Sequence, residues 1–64
     1  MAITIKAART NVGLTQTDVA KAVGKTKSTI ASYESYTTSP DMKTALSMAK
    51  LFNMSVDDII WTQD

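Results

Sequence analysis

The stretch QTDVAKAVGKTKSTIASYE, Gln16 to Glu34, decides how the rest of the chain is read. Apolar residues recur at helical spacing up to Val23 and again at Ile30 and Tyr33, with Gly24 between them, where a left-handed residue is needed to turn the chain. The pattern predicts two short helices joined by a tight corner. Ala20, flanked by Val19 and Val23, is small enough for the second helix to cross close over the first. On the second helix Ile30, Tyr33 and Glu34 follow the i, i+3, i+4 rule and face inward, while Lys27, Ser28, Ala31 and Ser32 form the opposite face. That outer face is small and polar, with one cation at its leading edge, and it suits a surface that must fit into a groove. Thr26 is placed to cap the helix by accepting from the N–H of Ser28 or Thr29, which leaves the helix start to face a phosphate.

Working outward, the 64 residues allow one domain over 1–64 with a small core, which a helical bundle with local contacts can sustain without staples. There is no Cys and no His, so disulfides, thiol chemistry and the usual zinc ligands are excluded; no metal or cofactor is expected. A reducing, cytoplasmic setting is compatible with that composition. The longest apolar runs are two or three residues, far short of a membrane span or a signal-peptide core. Net charge is only +1, but it is unevenly spread. Residues 1–33 carry Lys6, Arg9, Lys21, Lys25 and Lys27 against Asp18; residues 34–64 carry Lys43 and Lys50 against Glu34, Asp41, Asp57, Asp58 and Asp64. A basic half suits phosphate contact; ordinary solvated charge is the other reading. No catalytic constellation is present: no base for any serine, no Gly-rich phosphate loop, and Asp57 and Asp58 are about 100° apart on a helix. The chain is not read as an enzyme.

The corner and its flanks, KAARTNVGLTQ before it and YES and SPDMKTALSMAKLFNMSVDDII after it, resemble the phage-repressor and Cro family of helix-turn-helix regulators in bacteria and phages. The resemblance rests on Ala20, Gly24 and the apolar Val19, Val23, Ile30 and Tyr33, and it covers nearly the whole chain. It implies an all-α, compact five-helix bundle of the lambda-repressor type, with the motif formed by helices 2 and 3. The implied partner is a double-stranded DNA operator, bound in the major groove by helix 3, with the protein as a homodimer on paired half-sites in a bacterial or phage-infected cytoplasm. The alternative is a protein-interaction module of the same fold, antitoxin-like or an anti-repressor target, with a regulatory protein partner and weak DNA binding. The chain is either an entire regulator or the DNA-binding part of a longer repressor.

The first helix is expected up to Val12 after a short arm, residues 1–4, with Ile5, Ala8 and Val12 on its inner face and Gly13 as a stop. Arg9 reads either as a phosphate contact or as an ion pair with Glu34, and the resemblance implies the pair. Thr15 caps the second helix, and Gln16, in its first turn, matches the family's backbone clamp. For base readout the candidates are Lys27, Ser28 and Ser32; for backbone contact they are Gln16, Lys25, Thr26, Thr29, Tyr36, Thr38 and Lys43. Lys25 stands where the family usually has an apolar residue and Tyr36 where it commonly has glycine. Three readings of Tyr36 stay open: donor to phosphate, cover for the loop, or contact with a partner protein. Asp41 caps a fourth helix whose stripe Met42, Ala45, Met48, Ala49 and Phe52 faces the core. Asn53 ends it, and Ser55 with Asp58 opens a short fifth helix. Val56, Ile59 and Ile60 close the core, Trp61, Ile60 and Leu51 are candidates for a dimer interface, and the tail 62–64 is expected to fray.

Overall fold

Every α-helix of this chain opens on an oxygen-bearing side chain and closes on a residue with positive φ. In the computed structural model, which describes residues 1–63, α1 spans Ile5–Asn11, α2 Gln16–Val23, α3 Lys27–Glu34 and α4 Met42–Leu51. The hydroxyls of Thr4, Thr15 and Thr26 and the carboxylate of Asp41 accept from the backbone N–H three residues on, at 3.1, 3.1, 3.2 and 2.8 Å. Each such cap contributes about 1 kcal/mol by satisfying one of the donors that a helix start leaves open. At Thr15 the arrangement is reciprocal, because the Thr15 N–H donates to Asp18 Oδ2 at 2.9 Å.

The closing residues are Gly13, Gly24, Tyr36 and Asn53, with φ of 74°, 71°, 61° and 59°. After each, the next amide reaches back to a carbonyl of the last helical turn: Leu14 to Arg9, Lys25 to Ala20, Thr37 to Ser32 and Met54 to Ala49, at 3.3, 2.9, 3.0 and 2.9 Å. This is the Schellman type of closure, and it sets the angle at which each next helix leaves. The glycine at 24 therefore turns α2 into α3 in two residues, Lys25 and Thr26.

The end of the chain corrects the five-helix expectation. Instead of a fifth α-helix, Val56–Asp58 form a single 3-10 turn, and Ile59–Ile60 run extended as strand β2. They pair in parallel with β1, Ile3–Thr4, in the register Ile3 with Ile59 and Thr4 with Ile60. Four β-branched residues lie in these two short segments, and β-branched side chains favour extended backbone over a helix too short to nucleate. The arm 1–4 thus contributes a strand, and the Ser55 hydroxyl caps the N–H of Asp57 at 3.3 Å, with no reciprocal bond from Asp58. The expectation for 62–64 includes Asp64, which lies outside the described residues.

The core is built from Ile5 and Ala8 of α1, Val19 and Ala20 of α2, Ile30 and Tyr33 of α3, Met48 and Ala49 of α4, then Phe52 and Ile59. Full burial of each large side chain contributes about 1.5 to 3 kcal/mol. Of the expected core residues, Ile60 is half-buried outside the cluster, and two others are exposed. Val12 is 40% exposed because α1 ends one residue before it and the chain is already turning at Gly13. Met42, 67% exposed, is the first residue of α4, where the helix has not yet reached the packed residues one turn further on.

Candidate nucleic-acid interface

Helix α3 is held from behind. Ile30 is fully buried and Tyr33 is 6% exposed, both in the core, while Lys27 and Ser28 are exposed and Ala31 and Ser32 are half-buried on the other side. Packing of Ile30 and Tyr33 against the core fixes the rotation of the helix about its axis, so the polar face has one orientation. The start of α3 is equally defined. Thr26 Oγ1 receives Thr29 N–H and lies 2.9 Å from Thr29 Oγ1. Ile30 N–H goes to the Thr26 carbonyl at 3.2 Å. The N–H groups of Lys27 and Ser28 have no acceptor among the described residues and point out of the positive helix end, where an oxyanion is favoured.

Helix α2 presents the same kind of start beside it. Thr15 takes the amide of Asp18, so the N–H groups of Gln16 and Thr17 are open among the described residues. The Asp18 carboxyl is held below the usual carboxylate value of 3.8, first by the Thr15 N–H it accepts, then by the Thr15 hydroxyl, with Lys21 adding a smaller attraction. Asp41 is lowered likewise, first by the hydroxyl and then by the N–H of Thr44, with further contributions from Lys25 and Lys43. Among the described residues, none of the six lysines makes an ion pair within 4.0 Å; that bond belongs to Arg9 and Glu34.

Arg9 and Glu34 form the polar joint beneath this surface. Arg9 Nε donates to Glu34 Oε2 at 2.6 Å, Nη2 to Oε1 at 3.2 Å and Nη1 to the Leu14 carbonyl at 2.8 Å. The two side chains are 11% and 6% exposed, so Arg9 is committed inside and is not a phosphate ligand. Glu34 takes one more donor, Gln16 Nε2 at 3.0 Å, and that bond carried no signal in the sequence. It turns the Gln16 amide so that one N–H is used within the fold while the other, and the carbonyl oxygen, remain available. One carboxylate thus ties α1, α2 and α3 together directly behind the open N–H groups of α2.

Tyr36 is the candidate that the geometry corrects. Its hydroxyl donates to the Ile60 carbonyl at 2.8 Å and accepts from the Ile5 N–H at 3.3 Å, and its ring packs on the core. A phenol has one proton, so Tyr36 cannot also donate to phosphate. Thr38 is exposed, but its amide turns back to the Ser32 carbonyl at 3.4 Å, which leaves its hydroxyl as the outward group. Lys43 is exposed in the first turn of α4. The proposed dimer residues Leu51, Ile60 and Trp61 are all half-buried; Leu51 and Trp61 pack on the core, and the indole N–H is used on the Val56 carbonyl at 2.9 Å. Besides Met42 at its start, α4 leaves Leu46 open, 51% exposed, where it borders a groove with Met54 and Val56.

Two short helices at a glycine corner, the second backed by the core and fronted by a small polar face, define a helix-turn-helix unit. The chain belongs to the helix-turn-helix family, whose model matches residues 5–59. It is similar, with 30% identity over 60 residues, to the uncharacterized HTH-type transcriptional regulator YgzD of Bacillus subtilis (strain 168), covering 94% of this chain and 91% of that one. The family supports a DNA-binding transcription regulator. Among the described residues no helix is long and apolar enough to cross a membrane.

Proposed function

We propose that this protein is a sequence-specific regulator of the Cro or repressor type that lays α3 in the major groove of duplex DNA and acts in the cytoplasm. The observation that carries this reading is the division of α3, with Ile30 and Tyr33 buried and Lys27 and Ser28 free on the opposite side. Lys27, Ser28 and Ser32 read base edges: the ammonium donates to guanine O6 and N7, and the serine hydroxyls serve as donor or acceptor. The open amides of α2 and α3, the remaining Gln16 N–H, Lys25, Thr26, Thr29, Thr38 and Lys43 contact the phosphates and fix the register. With no Arg, Asn or Gln on the reading face, DNA shape carries much of the specificity.

The module measures 27 × 24 × 19 Å, whereas successive major grooves on one face of the duplex are about 34 Å apart. One copy therefore reads one half-site, and two copies joined near Ile60, Trp61 and Leu51 read a pair. Selection from random duplexes tests this directly. Enrichment of an inverted repeat with half-site centres about ten base pairs apart supports the reading. Failure to enrich any duplex favours the second reading, a module whose partner is a protein, to which the open groove beside Leu46 lends some support.

A further inference from the structure

We propose that Tyr36 is a positioning residue that locks the turn after the reading helix to the strand pair β1–β2. The inference rests on the DNA-binding reading of α3 and deepens it.

Tyr36 sits one residue past the C-cap of α3 with φ 61°, a conformation that strains a residue with a Cβ and that glycine adopts freely. The closure is nevertheless complete: Tyr36 N–H reaches the Tyr33 carbonyl at 3.1 Å and Thr37 N–H reaches the Ser32 carbonyl at 3.0 Å. The Tyr36 side chain adds a hold from outside the turn. In a parallel pair with Thr4 opposite Ile60, the next ladder bond would join the Ile5 N–H to the Ile60 carbonyl. The Tyr36 hydroxyl stands between those two groups and satisfies both. A single oxygen thus bonds the start of α1, the end of β2 and the corner that carries Thr37 and Thr38. Ser32, a proposed base contact, lends its carbonyl to the amides of Thr37 and Thr38 and to the Ser35 hydroxyl, so the last turn of α3 shares this anchor. The consequence is that the end of the reading helix and the C-terminal strand, 24 residues apart in sequence, move as one body.

The test is Tyr36→Phe, which keeps the ring, the backbone and the core contacts and removes only the oxygen. Amide exchange is followed in both proteins at Ile5, Thr37, Thr38 and, as a core reference, Ile30. The proposal expects Ile5, Thr37 and Thr38 to exchange roughly three- to tenfold faster relative to Ile30, the loss of one to two hydrogen bonds. It also expects affinity for a selected duplex to fall by a similar factor under conditions where both proteins are fully folded. Equal acceleration at all four amides would mean that the hydroxyl serves stability alone, and unchanged exchange at Thr37 would mean that no tether exists; either overturns the proposal. Altered exchange with unchanged DNA affinity also overturns it. If the wild-type chain binds no duplex, the DNA reading fails, and the exchange comparison still decides the tether on its own. Tyr36→Gly, which relieves the backbone while removing the anchor, should show the same local acceleration or more.

Discussion

Removing the Glu34 carboxylate should cost this domain much of its stability. Glu34→Ala deletes the acceptor of two Arg9 donors and of the Gln16 amide, and leaves a guanidinium that is 11% exposed with only the Leu14 carbonyl as partner. Breaking one side of a buried pair costs about 3 to 5 kcal/mol, because the remaining charge is neither solvated nor compensated. At about 0.05 to 0.15 kcal/mol per residue a chain of 64 residues has about 3 to 10 kcal/mol in total. The variant should therefore be partly or wholly unfolded at 25 °C. Arg9→Met should behave similarly, since it strands the carboxylate. The double variant Arg9→Met with Glu34→Leu removes both charges and fills the space with apolar atoms, so it should be clearly more stable than either single change. Urea denaturation of the four proteins completes the cycle. Single variants that lose less than about 1 kcal/mol, the range of exposed pairs, would refute the claim that this joint is desolvated.

At Gly24 an added Cβ would meet nothing within 4 Å, so Gly24→Ala isolates the cost of φ +71° and should lower stability by about 1 kcal/mol in thermal or urea unfolding. Asp18 and Asp41 have folded pKa values below 3.8, so the stability they add is present above their unfolded pKa and is lost as pH falls through the folded values. Asp18→Asn with Asp41→Asn keeps the capping oxygens and should lose less stability than wild type below about pH 4, checked by urea midpoints across pH. Lys27→Ala should relax preference at one base pair, whereas Gln16→Ala should weaken all duplexes alike, as read by competition against single-base variants of a selected site.

Much of this fold could be read from local pattern. Gly24, Asn53, Thr15, Thr26 and Asp41 act at single helix ends, where residue type and backbone conformation are tightly linked. The orientation of α3 was legible because Ile30 and Tyr33 lie one turn apart. What local pattern could not give were the pairings that join distant segments. Ile3 and Thr4 are β-branched, but nothing near them names Ile59 and Ile60 as partners, and so the segment opened by Ser55 and Asp58 reads as a short fifth helix. Tyr36 stood out as a departure from glycine, yet its two hydroxyl partners lie 31 residues before it and 24 after it. Met42 and Val12 fit the helical period and still point to solvent, because periodicity fixes a face and not where along the helix the core ends. The Gln16 bond to Glu34 depends on side-chain geometry alone.

If the exposed side of α3 and the cations around it meet a DNA backbone, duplex binding must weaken steeply as salt rises. Lys25, Lys27 and Lys43, three cations per protomer with no ion pair among the described residues, should release about 0.9 counterion per neutralised phosphate. For two copies on paired half-sites, log K against log salt should fall with a slope of roughly −5. Binding that stays level as salt rises, or no binding even at low salt, would contradict the account.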